Sequence, residues 1–249
     1  MGASVRHAGS GDSPRPAPDR LLARALGAHA KVWLVPAADV ATCVEMLGLD
    51  AGDVVAPLSG RPIAMHDVRA LARQRAAAGT PLVVDLTLTT FFGCAATRLG
   101  ADVSLAPVGE GGEAASLVAV GLSRDAGQGA HGCAGLAARL DARATRRCAP
   151  TADTLHALDA RRRAAGDAAQ AVASYLCCHP CVGEVRYPGL KTDPSFPVAS
   201  SQLTGGFGPL VDFRLRNEDG WRRIIAVPEN AKFQVMDLER KLAREWAHA

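Results

Sequence analysis

Residues 81–121 decide the fold, and they read PLVVDLTLTTFFGCAATRLGADVSLAPVGEGGEAASLVAVG. An apolar run at 82–84 stops at a carboxylate, Asp85, and further apolar runs follow at 103–108 and 117–122. Short runs of Val and Leu that are bounded by Gly and charge are typical of buried strands in an α/β sheet. Such sheets bind ligands at the carboxyl ends of their strands, so we expect any ligand to lie near Asp85.

The overall composition limits the classes of function. The chain has 249 residues, of which 48% are hydrophobic and 21% charged, as is ordinary for a globular protein. Its formal net charge of +3 is too small to indicate binding to nucleic acid or to a membrane surface. The seven cysteines are an odd number, and we recognise no secretory leader and no apolar run long enough to span a membrane. We therefore expect a reducing, cytoplasmic location.

Four segments are predicted along the chain. Residues 1–18 are rich in Ser, Gly and Pro, which predicts a disordered tail. Residues 19–150 alternate strand and helix patterns, which is typical of a largely parallel sheet with helices on its faces. Residues 151–180 predict a long connecting helix, and residues 181–249 predict a small α/β C-terminal domain.

The individual elements follow from hydrophobic periodicity and from capping residues. The predicted helices are 37–47, 67–79, 136–147, 151–176 and 237–247. The predicted strands outside the opening stretch are 31–35, 54–55, 182–185, 210–215 and 221–227. Residues 58–62 are predicted to be a loop.

Two separated motifs stand in order along the chain. LVVDLT at 82–87 is followed by Leu-Gly-Ala-Asp at 99–102. Downstream, His-Pro at 179–180 precedes VRYPGL at 185–190 and GGFG at 205–208. Together they resemble the transsulfuration (Cys/Met metabolism) family of pyridoxal-phosphate enzymes, which includes the cystathionine synthases and lyases and methionine γ-lyase. A weaker match to the same family is Gly-Asp-Val-Val at 52–55.

The resemblance implies a fold, a cofactor and a chemistry. The implied fold is that of fold-type I pyridoxal-phosphate transferases: a three-layer αβα large domain, here internally shortened, with a truncated α/β C-terminal domain. The implied chemistry is elimination or replacement at the β- or γ-carbon of sulfur amino acids, with pyridoxal phosphate as the cofactor. Family members are oligomers that share active sites between subunits. In the family an aspartate pairs with the protonated pyridine nitrogen; Asp85 takes that position, and Thr87 matches the family's threonine.

The family's catalytic lysine has no equivalent in this sequence. Aligning Ala101-Asp102 with the family's Ala-Asp puts Glu110 where that lysine binds the cofactor as a Schiff base. A carboxylate cannot form an imine. No lysine lies close in sequence to replace it, since the chain has only Lys31, Lys191, Lys232 and Lys241. We therefore expect no catalytic lysine, and Asp85 can equally be an inherited carboxylate that is satisfied by a backbone cap or by water.

The family's phosphate-binding and substrate-binding groups are also missing. The Ser and Thr that precede the lysine become Pro107 and Gly109, and the early Ser-Gly-Met loop aligns near 35–37, where there is no hydroxyl. The segment with the family's stacking tyrosine is deleted between Val55 and Pro62. The substrate-binding arginine lies in a C-terminal region that this chain largely lacks.

Three other motifs have plain structural interpretations. The glycine-rich segment 109–113 is similar to a phosphate-binding loop, but its two glutamates would repel phosphate, so we expect a surface loop. Residues 177–181 hold a CxxC and a histidine but no second cysteine pair, so we expect no metal site. Arginines 161–163 are predicted to be a solvated helix face, with an anion or partner contact as the alternative.

Three interpretations of function remain open. The residues favour a catalytically degenerate member of the family, that is, a pseudoenzyme. Such a chain could be a non-catalytic paralogue in a homo-oligomer, or in a hetero-oligomer with an active, full-length family member. It could equally be a decayed gene product. The last alternative is an active pyridoxal-phosphate enzyme with an atypical site.

Overall fold

The structure, a computed structural model, describes residues 21–22, 25, 31–108, 117–145 and 150–247. The predicted tail at 1–18 lies outside the described residues. Glu110, Gly109 and the rest of the glycine-rich segment also lie outside them.

Ten strands and eight helices are described. The strands are β1 (Lys31–Pro36), β2 (Val54–Val55), β3 (Leu58–Ser59), β4 (Ala64–Met65), β5 (Val83–Asp85), β6 (Val103–Pro107), β7 (Leu117–Leu122), β8 (Val182–Arg186), β9 (Leu210–Leu215) and β10 (Arg222–Ile225). The helices are α1 (Val40–Leu47), α2 (Val68–Ala78), α3 (Thr90–Gly93), α4 (Arg124–Gly127), α5 (Leu136–Arg143), α6 (Ala152–Cys178), α7 (Phe196–Gln202) and α8 (Ala231–Ala247).

The first sheet has five strands in the spatial order β1-β7-β6-β5-β2. Strands β2, β5 and β6 are parallel, as predicted, but β7 is antiparallel to both of its neighbours. Only residues 108–116 join β6 to β7. Two consecutive strands can pair in parallel only when a crossover of a dozen or more residues connects them, so this short connection forces the antiparallel pairing. The sheet is therefore mixed rather than largely parallel.

Helices cover both faces of this sheet, which gives the three-layer αβα arrangement. Alternate residues of a strand point to opposite faces, so Val83 packs on one side of β5 while Leu82 and Val84 pack on the other. Helices α1 and α5 fill the first side, and α2, α3 and the start of α6 fill the second. The fold is the α/β fold that the opening stretch predicts.

The second sheet is antiparallel, with strand order β10-β9-β8. Its core contains the second half of α6 and part of α8, through Ala169, Leu176 and Leu242. The first half of α6 instead contributes Leu155 to the core of the first sheet. Helix α6 therefore belongs to both cores. The prediction that the last helix begins at Asp237 is wrong, since α8 already begins at Ala231.

A small hairpin joins the two parts of the molecule. The loop predicted at 58–62 is wrong in part, because β3 and β4 pair antiparallel there. Leu58, Ile63 and Met65 of this hairpin pack against Ala199 of α7 and Leu210 of β9. No helix in the described parts of the chain is long and apolar enough to cross a membrane.

Candidate functional site

A cavity of about 460 Å³ opens at the carboxyl ends of β5 and β6. Thr87 and Thr90, which follow β5, line it together with Pro107 at the end of β6. Helix α6 forms a second wall, and the segment 226–229 that leads into α8 forms a third. The cavity therefore lies where open α/β sheets bind their ligands.

Asp85 ends β5 and is half-buried. Its Oδ1 accepts hydrogen bonds from the backbone N–H of Thr87 at 2.8 Å and from the Thr87 hydroxyl at 2.6 Å. This local turn satisfies one carboxylate oxygen, as aspartate side chains often do in turns. The assignment of Asp85 and Thr87 to a cofactor stays a prediction.

Thr90 has an unusual backbone conformation beside the cavity. Its φ is +51°, a left-handed value that a β-branched residue rarely adopts. The Thr90 side chain is buried, and its hydroxyl oxygen accepts a hydrogen bond from the Phe92 N–H at 3.2 Å. Strained backbone of this kind concentrates at functional sites.

Arg162 is a buried cation in the α6 wall of the cavity. Its Nε and Nη2 donate to Oδ1 of Asp159, at 3.2 and 2.8 Å, and its Nη1 donates to the Gly205 carbonyl at 3.0 Å. The predicted solvated face is therefore wrong for Arg162. The guanidinium fills space that two glycines leave: a Cβ on Gly93 would lie 3.1 Å from Nη1, and a Cβ on Gly205 would lie 2.9 Å from Nη2.

Asp159 serves two arginines at once. Its Oδ2 accepts from the Nε of Arg163 at 3.0 Å, while Oδ1 accepts from Arg162. Burial raises the pKa of the Asp159 carboxyl, but the hydrogen bonds from the two guanidiniums outweigh burial and leave the pKa below its usual value. One carboxylate thus faces two guanidiniums, which leaves this part of α6 with an excess of positive charge.

The rim of the cavity carries a second, weaker ion pair. Arg161 on α6 lies 4.0 Å from Glu229, and both side chains are more than half exposed. An exposed pair of this kind contributes little to stability.

The described residues around the cavity do not fit a pyridoxal-phosphate cofactor held as a Schiff base. Such a cofactor needs a primary amine within bonding reach. Lys31, at the start of β1, forms an ion pair with Asp141 of α5. Lys241 forms an ion pair with Asp237, and both lie on α8. Among the described residues, no lysine lines the cavity.

The second sequence motif has a packing role in the structure. Tyr187 is fully buried, and its hydroxyl lies 3.0 Å from the Gly166 carbonyl and 3.3 Å from the Gly208 carbonyl. A Cβ on Gly189 would lie 2.5 Å from the Tyr187 ring and 2.8 Å from the Phe207 ring, so only glycine fits there. These residues hold α6 against the chain that leads into β9.

The cysteine motif does not gather into a site. Cys177 and Cys178 are exposed at the end of α6, whereas Cys181 is buried. The Nδ1 of His179 is 3.2 Å from the N–H of Cys181, a local turn contact. Within the described ranges, no group of three or more His, Cys, Asp or Glu residues is placed to hold a metal ion.

Several residues of the cavity are absent from the sequence-based prediction. Thr90, Arg162 as a buried cation, and the wall at 226–229 all come from the structure. One signal was available for Arg162. Asp159 lies three residues before it and four before Arg163, which is the spacing of ion pairs on one face of a helix.

Comparison with known proteins identifies a family for this chain. The family model described as Cys/Met metabolism PLP-dependent enzyme matches residues 58–238. Among curated proteins, no significant match is found.

Solved structures give the same fold. A cystathionine gamma lyase from Micromonospora echinospora is 27% identical with a TM-score of 0.50, over 66% of this chain and 44% of that chain. An apo methionine gamma lyase from the same organism is 24% identical with a TM-score of 0.57, over 76% and 62%. A cystathionine gamma synthase from Xanthomonas oryzae pv. oryzae is 19% identical with a TM-score of 0.57, over 80% and 65%.

This chain spans less than two thirds of the length of each of these solved chains. The family model nevertheless matches well over half of this chain, and it includes both sequence motifs that carried the resemblance. The chain belongs to the family of Cys/Met metabolism PLP-dependent enzymes.

Proposed function

We propose that this chain is a non-catalytic member of its family. The observation that carries the proposal is the cavity at the carboxyl ends of β5 and β6, which is lined by threonines and arginines and by no lysine among the described residues. Without an amine, the cofactor cannot be held as a Schiff base, and the β- or γ-elimination or replacement chemistry of the family has no starting point. The alignment of Glu110 with the family's lysine supports the same conclusion.

Cofactor trapping tests this proposal directly. The purified chain is mixed with pyridoxal phosphate, its visible-range absorbance is recorded, and borohydride reduction is followed by intact mass and peptide mapping. We expect no stoichiometric adduct. A variant with all four lysines changed to arginine is the control, because it keeps the charge but removes every side-chain amine. A stoichiometric, reducible adduct that the control variant loses would establish the alternative, an active enzyme with an atypical site.

Glu110→Lys tests whether the lysine alone is missing. We expect this variant to bind no more pyridoxal phosphate than the unchanged chain, because the hydroxyls that hold the phosphate in the family are also replaced, for example by Pro107. Equilibrium dialysis with the cofactor measures the result. Tight binding by Glu110→Lys would show that the rest of the cofactor pocket is intact.

A second candidate function is that of a partner subunit, and one observation favours it. The large hydrophobic side chains that stand exposed in the described part of the chain lie within a single segment, from the end of β10 into α8. They are Ile225 at 62%, Val227 at 38%, Phe233 at 68% and Met236 at 43% exposure. Clustered exposed apolar residues mark protein–protein contacts. A subunit of an active family member, in the cytoplasm, is the partner we propose.

Co-expression with an active family member tests the partner function. We expect the two chains to co-purify, and the pair of changes Phe233→Glu and Met236→Glu to abolish this. Ala243→Glu is the control for each of the two changes, since it adds one negative charge at an exposed position of the same helix. Equal co-purification of all variants would exclude this surface as the contact, and failure of the unchanged chain to co-purify would favour a chain with no present role.

A further inference from the structure

We propose that the cavity binds, without a covalent bond, a small carboxylate with an apolar body. This inference rests on the proposed non-catalytic function, because it takes the cavity to hold no cofactor. It deepens that function by naming the chemical class that the remaining residues fit.

The size and the lining of the cavity suit a small organic molecule. Its volume of about 460 Å³ lies within the 300–1,000 Å³ that is usual for ligand sites. Most of its wall is apolar and comes from four different parts of the chain. The apolar lining residues include Leu88, Pro107, Leu158, Ala165, Pro209 and Val227. Such a wall favours an apolar body and offers few groups to a highly polar ligand.

The charge of the site favours an anionic head. Arg162 reaches the cavity and is held in place by Asp159 and by the Gly205 carbonyl, so it loses little side-chain freedom when a ligand binds. Asp159 also pairs with Arg163, and therefore does not neutralise Arg162 alone. A planar guanidinium with N–H groups to spare is well suited to a carboxylate.

The charged residues around the cavity favour a ligand with one negative charge over a ligand with two. At the rim, Glu229 stands 4.0 Å from Arg161 and would repel a second negative charge on the ligand. Thr87 and Thr90 are the uncharged polar side chains that line the cavity. The Thr87 hydroxyl already donates to Asp85, so it cannot also serve as a donor to a phosphate. A monocarboxylate therefore fits better than a phosphate ester.

Calorimetric titration of the full chain with 4-phenylbutyrate tests this inference, with the neutral 4-phenylbutanamide as the matched ligand. We expect the acid to bind and the amide to bind at least tenfold more weakly. Ala165→Leu places a larger side chain in the cavity and is expected to weaken binding of the acid at least tenfold. Ala164→Leu is its control, because the neighbouring position is exposed and does not line the cavity.

The role of the Arg162 guanidinium is tested with two variants of α6. Arg162→Gln is expected to weaken binding of the acid at least tenfold, whereas Arg163→Gln, which removes the other partner of Asp159 but no group that lines the cavity, is expected to weaken it by a smaller factor. Arg162→Gln is used only if it folds, as judged by circular dichroism. Otherwise the inference is tested by the comparison of the acid with the amide and by the comparison of Ala165→Leu with Ala164→Leu.

Three results would overturn the inference: equal binding of the acid and the amide, an affinity that Ala165→Leu leaves unchanged, or absence of any binding by the acid. These failures differ from a failure of the proposed function, which would show itself as a lysine adduct of pyridoxal phosphate in the borohydride experiment.

Discussion

At the scale of single residues, the cysteines differ strongly in their surroundings. Burial raises the pKa of the Cys43 and Cys133 thiols to about 11 and that of the Cys94 thiol to about 12. Cys177 and Cys178 instead stand exposed at the end of α6, although partial burial and then the neighbouring Cys178 raise the pKa of the Cys177 thiol too. The thiolate is the reactive form, so reactivity follows both exposure and pKa.

We therefore predict selective alkylation. Iodoacetamide at pH 8 is expected to label Cys177 and Cys178 and to leave Cys43 and Cys94 unlabelled until urea unfolds the protein. Peptide mapping by mass spectrometry gives the order of labelling. Raising the pH to 9 speeds labelling of the exposed thiols but leaves the buried ones protonated, because their pKa values lie well above 9. Early labelling of Cys43 would contradict its place in the core.

The exposure of the three arginines at 161–163 of α6 was predicted correctly for two of them and wrongly for the third. Three consecutive arginines indicate a solvated face, and this holds for Arg161 and Arg163, which are exposed. It fails for Arg162 because Gly93 and Gly205, far away in sequence, leave space for its guanidinium. No local pattern encodes that space.

At the scale of elements, local signals were reliable where the cap lies beside its helix. Asp67 accepts from the Ala70 N–H at 2.9 Å at the start of α2, as predicted, and Gly79 ends the helix with a φ of +68°. The two-residue strands β3 and β4 were missed because they carry too little periodicity, whereas β2 was predicted at 54–55. The start of α8 was missed because Phe233 and Met236 face outward and break the amphipathic pattern.

One contact at α2 depends on the tertiary structure, and it gives a prediction. Gln202 of α7 accepts from the Val68 N–H at 3.0 Å and donates to Asp67 at 2.6 Å, so two side chains share the cap. Asp67→Ala is expected to lower the free energy of unfolding by about 1 kcal/mol. In a double-mutant cycle, Gln202→Ala should be less costly in the Asp67→Ala background than alone. Strict additivity would mean that the two caps act separately.

The same cap has a pH dependence of known sign. The Ala70 N–H, then Gln202, lower the pKa of Asp67 below its usual value. Its stabilising effect is therefore complete above the carboxyl pKa of the unfolded chain, about 3.9, and is lost as the pH falls through the lower pKa of the folded state. Urea unfolding at pH 7 and pH 3 is expected to show a smaller difference between the unchanged chain and Asp67→Ala at pH 3.

At the scale of the whole molecule, the second sheet is joined to the β3–β4 hairpin by a buried ion pair that no sequence motif indicated. Asp212 of β9 has no exposed surface. It accepts from the Nε and Nη2 of Arg223 on β10, at 2.8 and 2.7 Å, and from the Ile63 N–H in the β3–β4 hairpin. Arg223 also donates to the Gly60 carbonyl in that hairpin. The predicted domain boundaries at residues 150 and 180 stay a prediction. The contacts of Asp212 and Arg223 connect the C-terminal sheet to the hairpin in the N-terminal part of the chain.

Removing one partner of this pair is predicted to be costly. Asp212→Ala removes the carboxylate partner of Arg223 and leaves the Ile63 N–H without its acceptor. Loss of one partner from a buried ion pair costs about 3–5 kcal/mol, and we expect the lower end because Arg223 is partly exposed and keeps the Gly60 carbonyl. Glu218→Ala is the control, since it breaks an exposed pair with Arg222 on the same sheet and should cost less than about 1 kcal/mol. Urea unfolding measures both. Asp212→Leu combined with Arg223→Met removes both charges and should recover much of the loss. If the single and double variants lost the same stability, apolar packing rather than the ion pair would be what couples the hairpin to the second sheet.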